Sequence, residues 1–459
     1  MKHSLQIAFK SWVGLSLLVI ASLAAIYFRN GATGLSLFIQ QWPLSNLVVT
    51  LASTTLTWFC LGALLYLLAN EKINAGNAFT IAGFFIVMFV YLNVLRERFR
   101  YGDYAYYIEA ATAMLQHKTL PDTYLYLPLW ASILQFIVPL GDQGVLVILW
   151  TVNVIALGSF YFLLNRLLER YGFSARFAAL IAVVFVLINA PIQQTLGFVQ
   201  VNLLVMDLIF LSVLNYPKNI FLSALTLALA IHLKTSPAVL VLAFLLERDW
   251  RWLVWFALSF LVIAAIPVAL NGISPYFDYL HNIVALTQIS DTNFHDTSFD
   301  SFLRFFNPFL GINIIWTRMM IYIAKASLAL ATIIVMARNV RNRSFITGEV
   351  LGNKILNAIP SLFVLMTLAS PIVWDHHGVF VTLSFLLMLK RIESPSMWMW
   401  FGFAYFVEFI LPSFDFFPWS YGRLIAPMII LGLMWGIPKE QEDSNFFNSA
   451  NAWFIKLPI

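Results

Sequence analysis

The chain has 459 residues, 61% of them hydrophobic and 11% charged, with a mean hydropathy of +0.83 and a formal net charge of +5. This excludes a soluble domain and places the chain among polytopic membrane proteins; so small a charge, spread over loops, argues against nucleic-acid binding. Cys60 is the only cysteine, which leaves neither a disulfide frame nor a thiolate metal site.

The first apolar run begins near Ser11, after Lys2 and Lys10, and no small-residue cleavage site follows it, so it reads as an uncleaved span rather than a signal peptide. Runs long enough to cross lie near 11–28, 44–69, 78–95, 143–165, 177–190, 197–214, 219–232, 236–246, 252–270, 318–337, 354–370, 378–390, 397–412 and 421–437. They predict an all-α bundle of about 12–14 transmembrane helices. Residues 1–77 form two additional N-terminal spans, 78–437 a single core, and 438–459 a cytoplasmic tail. The run from Leu127 to Leu140, about 14 residues, is short for a span and reads as an interfacial helix. With it left out and the N-terminus cytoplasmic, the basic loops (Arg166, Arg170 and Arg176, then Lys218, Arg338 to Lys354, and Lys390-Arg391) face inward, as the positive-inside rule requires. Arg96, Arg98 and Arg100 then lie outside, either to meet an anionic group or to reach lipid headgroups.

That topology gathers the unusual polar residues on the outer side, where they are expected to converge on one cavity. Asp103 stands at the mouth of a span, where a carboxylate is a functional candidate. Its plainer reading is an N-cap for the amphipathic helix that the spacing of Tyr104, Tyr107, Ile108, Ala111, Met114 and Leu115 predicts over 103–117. With a second interfacial helix at about 127–140 it would make a shelf in the first large outer loop. Gln194, Gln200 and Asn202 are candidates for lining the cavity or for bonding across helices. Lys234 precedes Ser236-Pro237, which reads as an N-cap and first helical position; the lysine either snorkels or holds a phosphate near that helix start. The loop from about 271 to 317 carries His281, Asp291, Asn293, His295, Asp296, Asp300 and Arg304, in a spacing that matches no metal-ligand pattern, and reads as a solvated loop closing over substrate. In Trp374-Asp375-His376-His377, adjacent histidines project about 100° apart on a helix, so one of them is expected to line the cavity, oriented by Asp375, with Trp374 at the interface.

Taken in order, Gly102-Asp103-Tyr104, Tyr124-Leu-Tyr126-Leu-Pro128-Leu, Gly197-Phe-Val-Gln200-Val-Asn202, Leu233-Lys234-Thr-Ser-Pro237 and Ser370-Pro371-Ile-Val-Trp374-Asp-His376-His377 resemble the membrane-embedded glycosyltransferases of the GT-C class, and most closely the GT87 group. The resemblance covers roughly residues 78 to 437. The chain departs from the pattern in having two spans before the one that leads to Asp103, which preserves the side on which the site lies. Leu127-Pro128 stands where an aromatic-Pro-Pro is common, and the usual Gly-Gln pair is split as Gly197 and Gln200.

The resemblance implies a GT-C-type bundle that moves a sugar, mannose by preference, from a polyprenyl phosphate to a lipid or glycan hydroxyl. The reaction would occur with inversion at the extracytoplasmic face, without metal or other cofactor; a bacterial inner membrane with the site facing the periplasm fits, and the lumenal face of another membrane would look the same. It implies Asp103 as general base and Lys234 with His376 or His377 on the leaving phosphate, Arg100 and Arg304 being further cationic candidates. Tyr104, Tyr107, Tyr126, Gln194, Gln200, Asn202, His295, Trp374 and Asp375 would surround the substrates. The competing class is a transporter or lipid flippase, for which polar residues in spans and breaks such as Asn271-Gly272 would line a pathway. A third reading is a non-catalytic membrane subunit on the same scaffold.

Overall fold

The computed structural model describes residues 2–39, 44–95, 102–286, 296–310, 316–346, 352–411 and 419–437. Arg100 and His295, as well as Arg96, Arg98, Asp291 and Asn293, lie outside the described residues. Among those residues every regular element is helical. Helices at Ser4–Ile39, Thr50–Ala69, Ala75–Asn93, Val138–Arg170, Trp250–Asn271 and Arg318–Asn342 are long and apolar enough to cross a membrane, and Ala175–Leu187 with Ala190–Gly197 makes a seventh if taken as one broken span. The chain is an all-α, multi-pass membrane protein.

One unit contains α1 (Lys2–Ile39), α2 (Leu44–Ala69), α3 (Ala75–Val90) and α7 (Ala175–Leu187). Neighbouring helices pack in the order α1, α2, α3, α7. Polar contacts between apolar helices fix the pairing where hydrophobicity alone gives no direction: Trp58 Nε1 donates to Ser16 Oγ at 2.7 Å, Ser53 Oγ to Asn93 Oδ1 at 2.8 Å, and Tyr91 OH to the Val186 carbonyl at 2.8 Å. Most of the outward surface of α1 and α2, including Leu17, Leu18, Phe28, Val48 and Leu56, is exposed and apolar, as a lipid-facing helix requires.

The second unit holds the remaining described helices. In its interior stands α16 (Asn353–Leu368), mostly apolar and buried along nearly its whole length, against which α15 (Arg318–Asn342), α11 (Val241–Glu247) and α19 (Gly422–Gly436) pack. Beside it α9 (Asn202–Asn215) lies between α6 (Gly141–Arg170) and α10 (Ile220–Leu233), and α10 also meets α12 (Trp250–Asn271). The shorter helices α9, α10 and α16 are the buried ones, whereas α12 and α15 leave long apolar faces exposed. A helix end in the interior meets protein rather than hydrocarbon, so a helix too short to span is tolerated there.

The interfacial elements differ in detail from expectation. The first is α4 (Tyr104–Leu115), which buries Tyr107, Ala111 and Met114 but leaves Leu115 exposed. The second is not a continuous 127–140 helix: α5 spans only Leu129–Leu134, followed by a 3-10 turn at Val138–Leu140 that runs into α6. Asn271, at the end of α12, accepts from Ser132 Oγ at 3.0 Å and donates to Gln135 Oε1 at 2.9 Å, which ties α5 to the break at Asn271-Gly272. The long segment after it is not all loop. It contains α13 (Ser274–Leu286) and α14 (Phe299–Leu310), and Asn282 on α13 donates to the Pro121 carbonyl at 2.8 Å. The expected span 236–246 opens as a 3-10 helix at Ser236–Leu240, preceded by Thr235, and continues as α11. Pro237 is in its first turn, but Ser236 makes no cap; its hydroxyl is buried without a hydrogen-bond partner.

Candidate active site

The site forms around the break between α8 (Ala190–Gly197) and α9. Gln200 N donates to the Thr195 carbonyl at 2.9 Å and Val199 N to the Leu196 carbonyl at 3.2 Å, the paired closure with which helices end when the next residue turns left-handed. That residue is Val199, at φ 56°, a conformation that costs a β-branched side chain of order 1–3 kcal/mol. Gln200 and Asn202 follow the turn and are both buried.

Gln200 serves Asp103. Its Nε2 donates to Asp103 Oδ2, and its Oε1 accepts from Tyr107 OH at 2.7 Å and from Tyr126 OH at 3.2 Å. Asp103 therefore does not cap α4 as its position suggested: it precedes the helix in helical conformation and makes no side-chain cap bond. The chain reaches Gln200 because Gly102 passes close to Phe198, where a Cβ would come within 2.9 Å of the Phe198 Cα. Half-buried, the Asp103 carboxyl is pushed above its ordinary value by loss of water, against the opposing pull of the Gln200 hydrogen bond and the Lys234 charge. Burial raises the Tyr126 hydroxyl to about 12, so the tyrosine is a neutral donor to Gln200.

Asn202 serves Lys234 and the histidine turn. Its Oδ1 accepts from Lys234 Nζ at 2.8 Å and its Nδ2 donates to the His376 carbonyl at 3.3 Å. Lys234 does not snorkel. Its ammonium lies 5.2 Å from the centre of the Phe380 ring, and burial lowers it to about 7 despite the nearby Asp103 charge. Gln200 and Asn202 thus bond across elements and bring the carboxylate and the ammonium into one electrostatic neighbourhood.

Trp374 leads into a 3-10 helix, Asp375–Val381, that packs on α8. The backbone N–H of Trp374 donates to His377 Nδ1 at 3.0 Å, which leaves the ring proton on Nε2 of the neutral imidazole. Both histidines are held well below their ordinary range, first by burial and then by the Lys234 charge, so they are neutral N–H donors rather than cations. Asp375 does not orient either ring. Its Oδ1 pairs with Arg423 Nη1 and its Oδ2 accepts from Gln194 Nε2 at 3.3 Å. Gly378 allows this close packing, since a Cβ there would stand 2.8 Å from Pro191 Cγ. Upstream, Asp296 Oδ1 accepts from Val373 N at 3.0 Å and Thr297 N donates to the Val373 carbonyl at 2.7 Å, clamping the turn from the other side.

Of the remaining expected residues, Tyr104 is half-buried on the first turn of α4, Trp374 has an exposed side chain and joins the turn through its backbone N–H, and Arg304 lies on α14. Asp300 pairs with Lys325 at 2.8 Å, and among the described residues no group of three or more His, Cys, Asp or Glu side chains is arranged to hold a metal ion. Arg423 on α19 and Glu408 beside it were missed from the sequence. Each is an ionisable residue inside an apolar run, and that was the available signal.

The model of glycosyltransferase family 87, GT87, matches residues 124–371, more than half of the chain. The chain belongs to this family. It is therefore a membrane glycosyltransferase. The GT87 match takes in Tyr126, Gln194, Gln200, Asn202 and Lys234, while Asp103 lies before it and the histidine turn after it. Neither the comparison with curated proteins nor that with solved structures found a match.

Proposed function

We propose that this GT87 protein transfers a sugar, mannose by preference, from a polyprenyl phosphate to a hydroxyl of a lipid or glycan acceptor at the extracytoplasmic face, with inversion. The observation that carries the reading is the turn at Val199, whose two following amide side chains hold Asp103 and Lys234 in one neighbourhood.

A sugar hydroxyl is a poor nucleophile, so its proton must be taken as it attacks. Asp103 is the base; burial raises it, and Gln200 and Lys234 favour its charged form against that loss of water. The new bond joins the acceptor oxygen to the anomeric carbon, the bond from that carbon to the phosphate oxygen breaks, and its electron pair leaves with the polyprenyl phosphate. The acceptor proton ends on Asp103. Lys234 and the N–H groups of His376 and His377 meet the charge that grows on the leaving phosphate, which favours the transition state over the bound donor. This set of residues requires no metal.

The test supplies polyprenyl-phosphate-linked labelled mannose and a membrane-lipid extract to purified wild type and Asp103→Asn. Wild type is expected to move label into a new product; the variant is expected to bind donor but to turn over roughly 10²–10⁴-fold more slowly. Transfer that survives the substitution removes Asp103 as the base. Donor translocation across vesicles with no glycosidic product would favour the flippase reading.

A further inference from the structure

The expected active-site groups leave one buried charged cluster unused. Arg423, 5% exposed on α19, spreads its donors over two segments: Nη1 to Asp375 Oδ1, and Nε to the Glu408 carbonyl at 3.3 Å with Nη2 to the Leu411 carbonyl at 3.1 Å. Glu408 lies in a π-helical segment, Phe406–Ile410, that continues α18 (Pro395–Tyr405). It is fully buried, and among the described residues neither carboxylate oxygen has a hydrogen-bond partner. It lies within reach of the charges of both Arg423 and Asp375, and its carboxylate faces Gly378 on the histidine turn.

Two carboxylates and one guanidinium are costly to bury. A buried ion pair is a weak source of stability, and apolar side chains of the same size would serve packing as well or better. The cluster is therefore better explained by what it fixes. Asp375 immediately precedes His376, and the Arg423 charge is felt at that imidazole together with that of Lys234. π-Helical insertions tend to occur where a helix must present a functional group out of register.

We infer that Arg423 is a positioning residue for the His376–His377 turn, which it fixes through Asp375, with the backbone carbonyls of Glu408 and Leu411 holding the guanidinium in place. The guanidinium does not touch substrate. It holds the turn in place and adds to the burial and the Lys234 charge that keep His376 neutral, so that the imidazole offers an N–H without drawing a second proton into the site. The consequence for turnover rests on the proposed transfer reaction; the link between Arg423 and His376 does not.

The experiment uses the full chain in lipid nanodiscs with ring-labelled histidine, the His376 signal being assigned by its loss in His376→Gln. Titration is followed by NMR in wild type, Arg423→Gln, Arg423→Lys and the double variant Arg423→Gln/Glu408→Gln. The double variant also replaces the buried Glu408 acid, so that no ionisable group is left beside the lost guanidinium. In the variants lacking the guanidinium, loss of a neighbouring cation and release of Asp375 are expected to move the His376 titration to higher pH, its midpoint changing at least tenfold in proton concentration. The lysine variant is expected to restore most of that titration. In the transfer assay, loss of Arg423 is expected to lower kcat at least tenfold with donor KM within about twofold, and lysine to recover only part of kcat. A titration unmoved in both Arg423→Gln backgrounds overturns the inference whether or not wild type transfers sugar. Moved titration with unchanged kcat overturns the positioning role. Moved titration in a wild type that transfers no sugar supports the link to the turn and sinks the donor reading instead.

Discussion

If Lys234 meets the donor phosphate as proposed, donor binding should weaken as pH rises through neutrality, because burial depresses that ammonium. Lys234 sits at about 7 rather than near its ordinary value, chiefly through burial, with Asp103 pulling it back up. A sugar phosphodiester stays a monoanion across this range, so the titrating group belongs to the protein. When one protonation state alone binds, the apparent dissociation constant is the intrinsic one divided by the fraction in that state. With a pKa of about 7, the ammonium fraction falls from about 0.9 at pH 6 to about 0.1 at pH 8, and donor KM rises about tenfold over that interval. The sign is fixed: a cation whose pKa is depressed loses its charge on the alkaline side, so binding above pH 7 takes up a proton. Calorimetry of donor binding in buffers of different ionisation enthalpy reads that uptake directly. Lys234→Arg keeps its charge throughout and should give a flat KM, whatever its absolute value. A flat wild-type KM between pH 6 and 8, or the same slope in Lys234→Arg, would refute the reasoning.

Three further outcomes follow from the same contacts. Gln200→Leu removes the donor that favours the Asp103 carboxylate, so the acid limb of kcat/KM should lie at higher pH, and activity measured on that limb should fall roughly tenfold for every pH unit by which it moves; a pH–rate profile checks it. Gly378→Ala drives a methyl against Pro191 and the Glu408 carboxylate, and should cost about 1–3 kcal/mol, read as a lower melting temperature in detergent. Val199→Gly relieves a left-handed backbone strain of about 1–2 kcal/mol but removes a buried isopropyl group worth a similar amount, so stability should change little while kcat falls; a large loss of stability with normal kcat would make that turn a packing feature alone.

What the sequence conveyed and what it withheld divide along physical lines. Apolar runs reveal helices because lipid and core select for hydrophobicity along a continuous stretch, and the spacing of Tyr107, Ala111 and Met114 revealed the buried face of α4 for the same reason. The short element 129–134 was overestimated, since the apolar character of the run persists through the turn that ends it. Asp103 was legible as a polar residue at a costly position, but its partner was not: a carboxylate before a helix suggests a cap, and only the approach of Gly102 to Phe198 shows that Gln200 takes it instead. His376 and His377 were legible as a pair. Their neutrality was not, because it depends on burial and on Lys234, which arrives from a distant segment. Arg423 and Glu408 escape the sequence reading: each is only a single charge inside an apolar run, and nothing local says that both lie against the turn at Asp375.

The geometry at Val199 explains why the chain breaks where it does. In a continuous helix, residues two apart point to nearly opposite sides and cannot face one neighbourhood. Gln200 and Asn202 are two apart, yet one reaches Asp103 and the other Lys234, whose charges perturb each other. The left-handed residue before Gln200, and the entry into α9 only at Asn202, make this arrangement attainable. A helix break at that depth also leaves backbone groups to be satisfied, and the bonds from Val199 and Gln200 back into α8 do so. The strain at Val199 is thus spent on geometry: it brings a carboxyl and an ammonium from distant segments of the core within one field, where the charged form of Asp103 is favoured by the same lysine that is proposed to receive the departing phosphate.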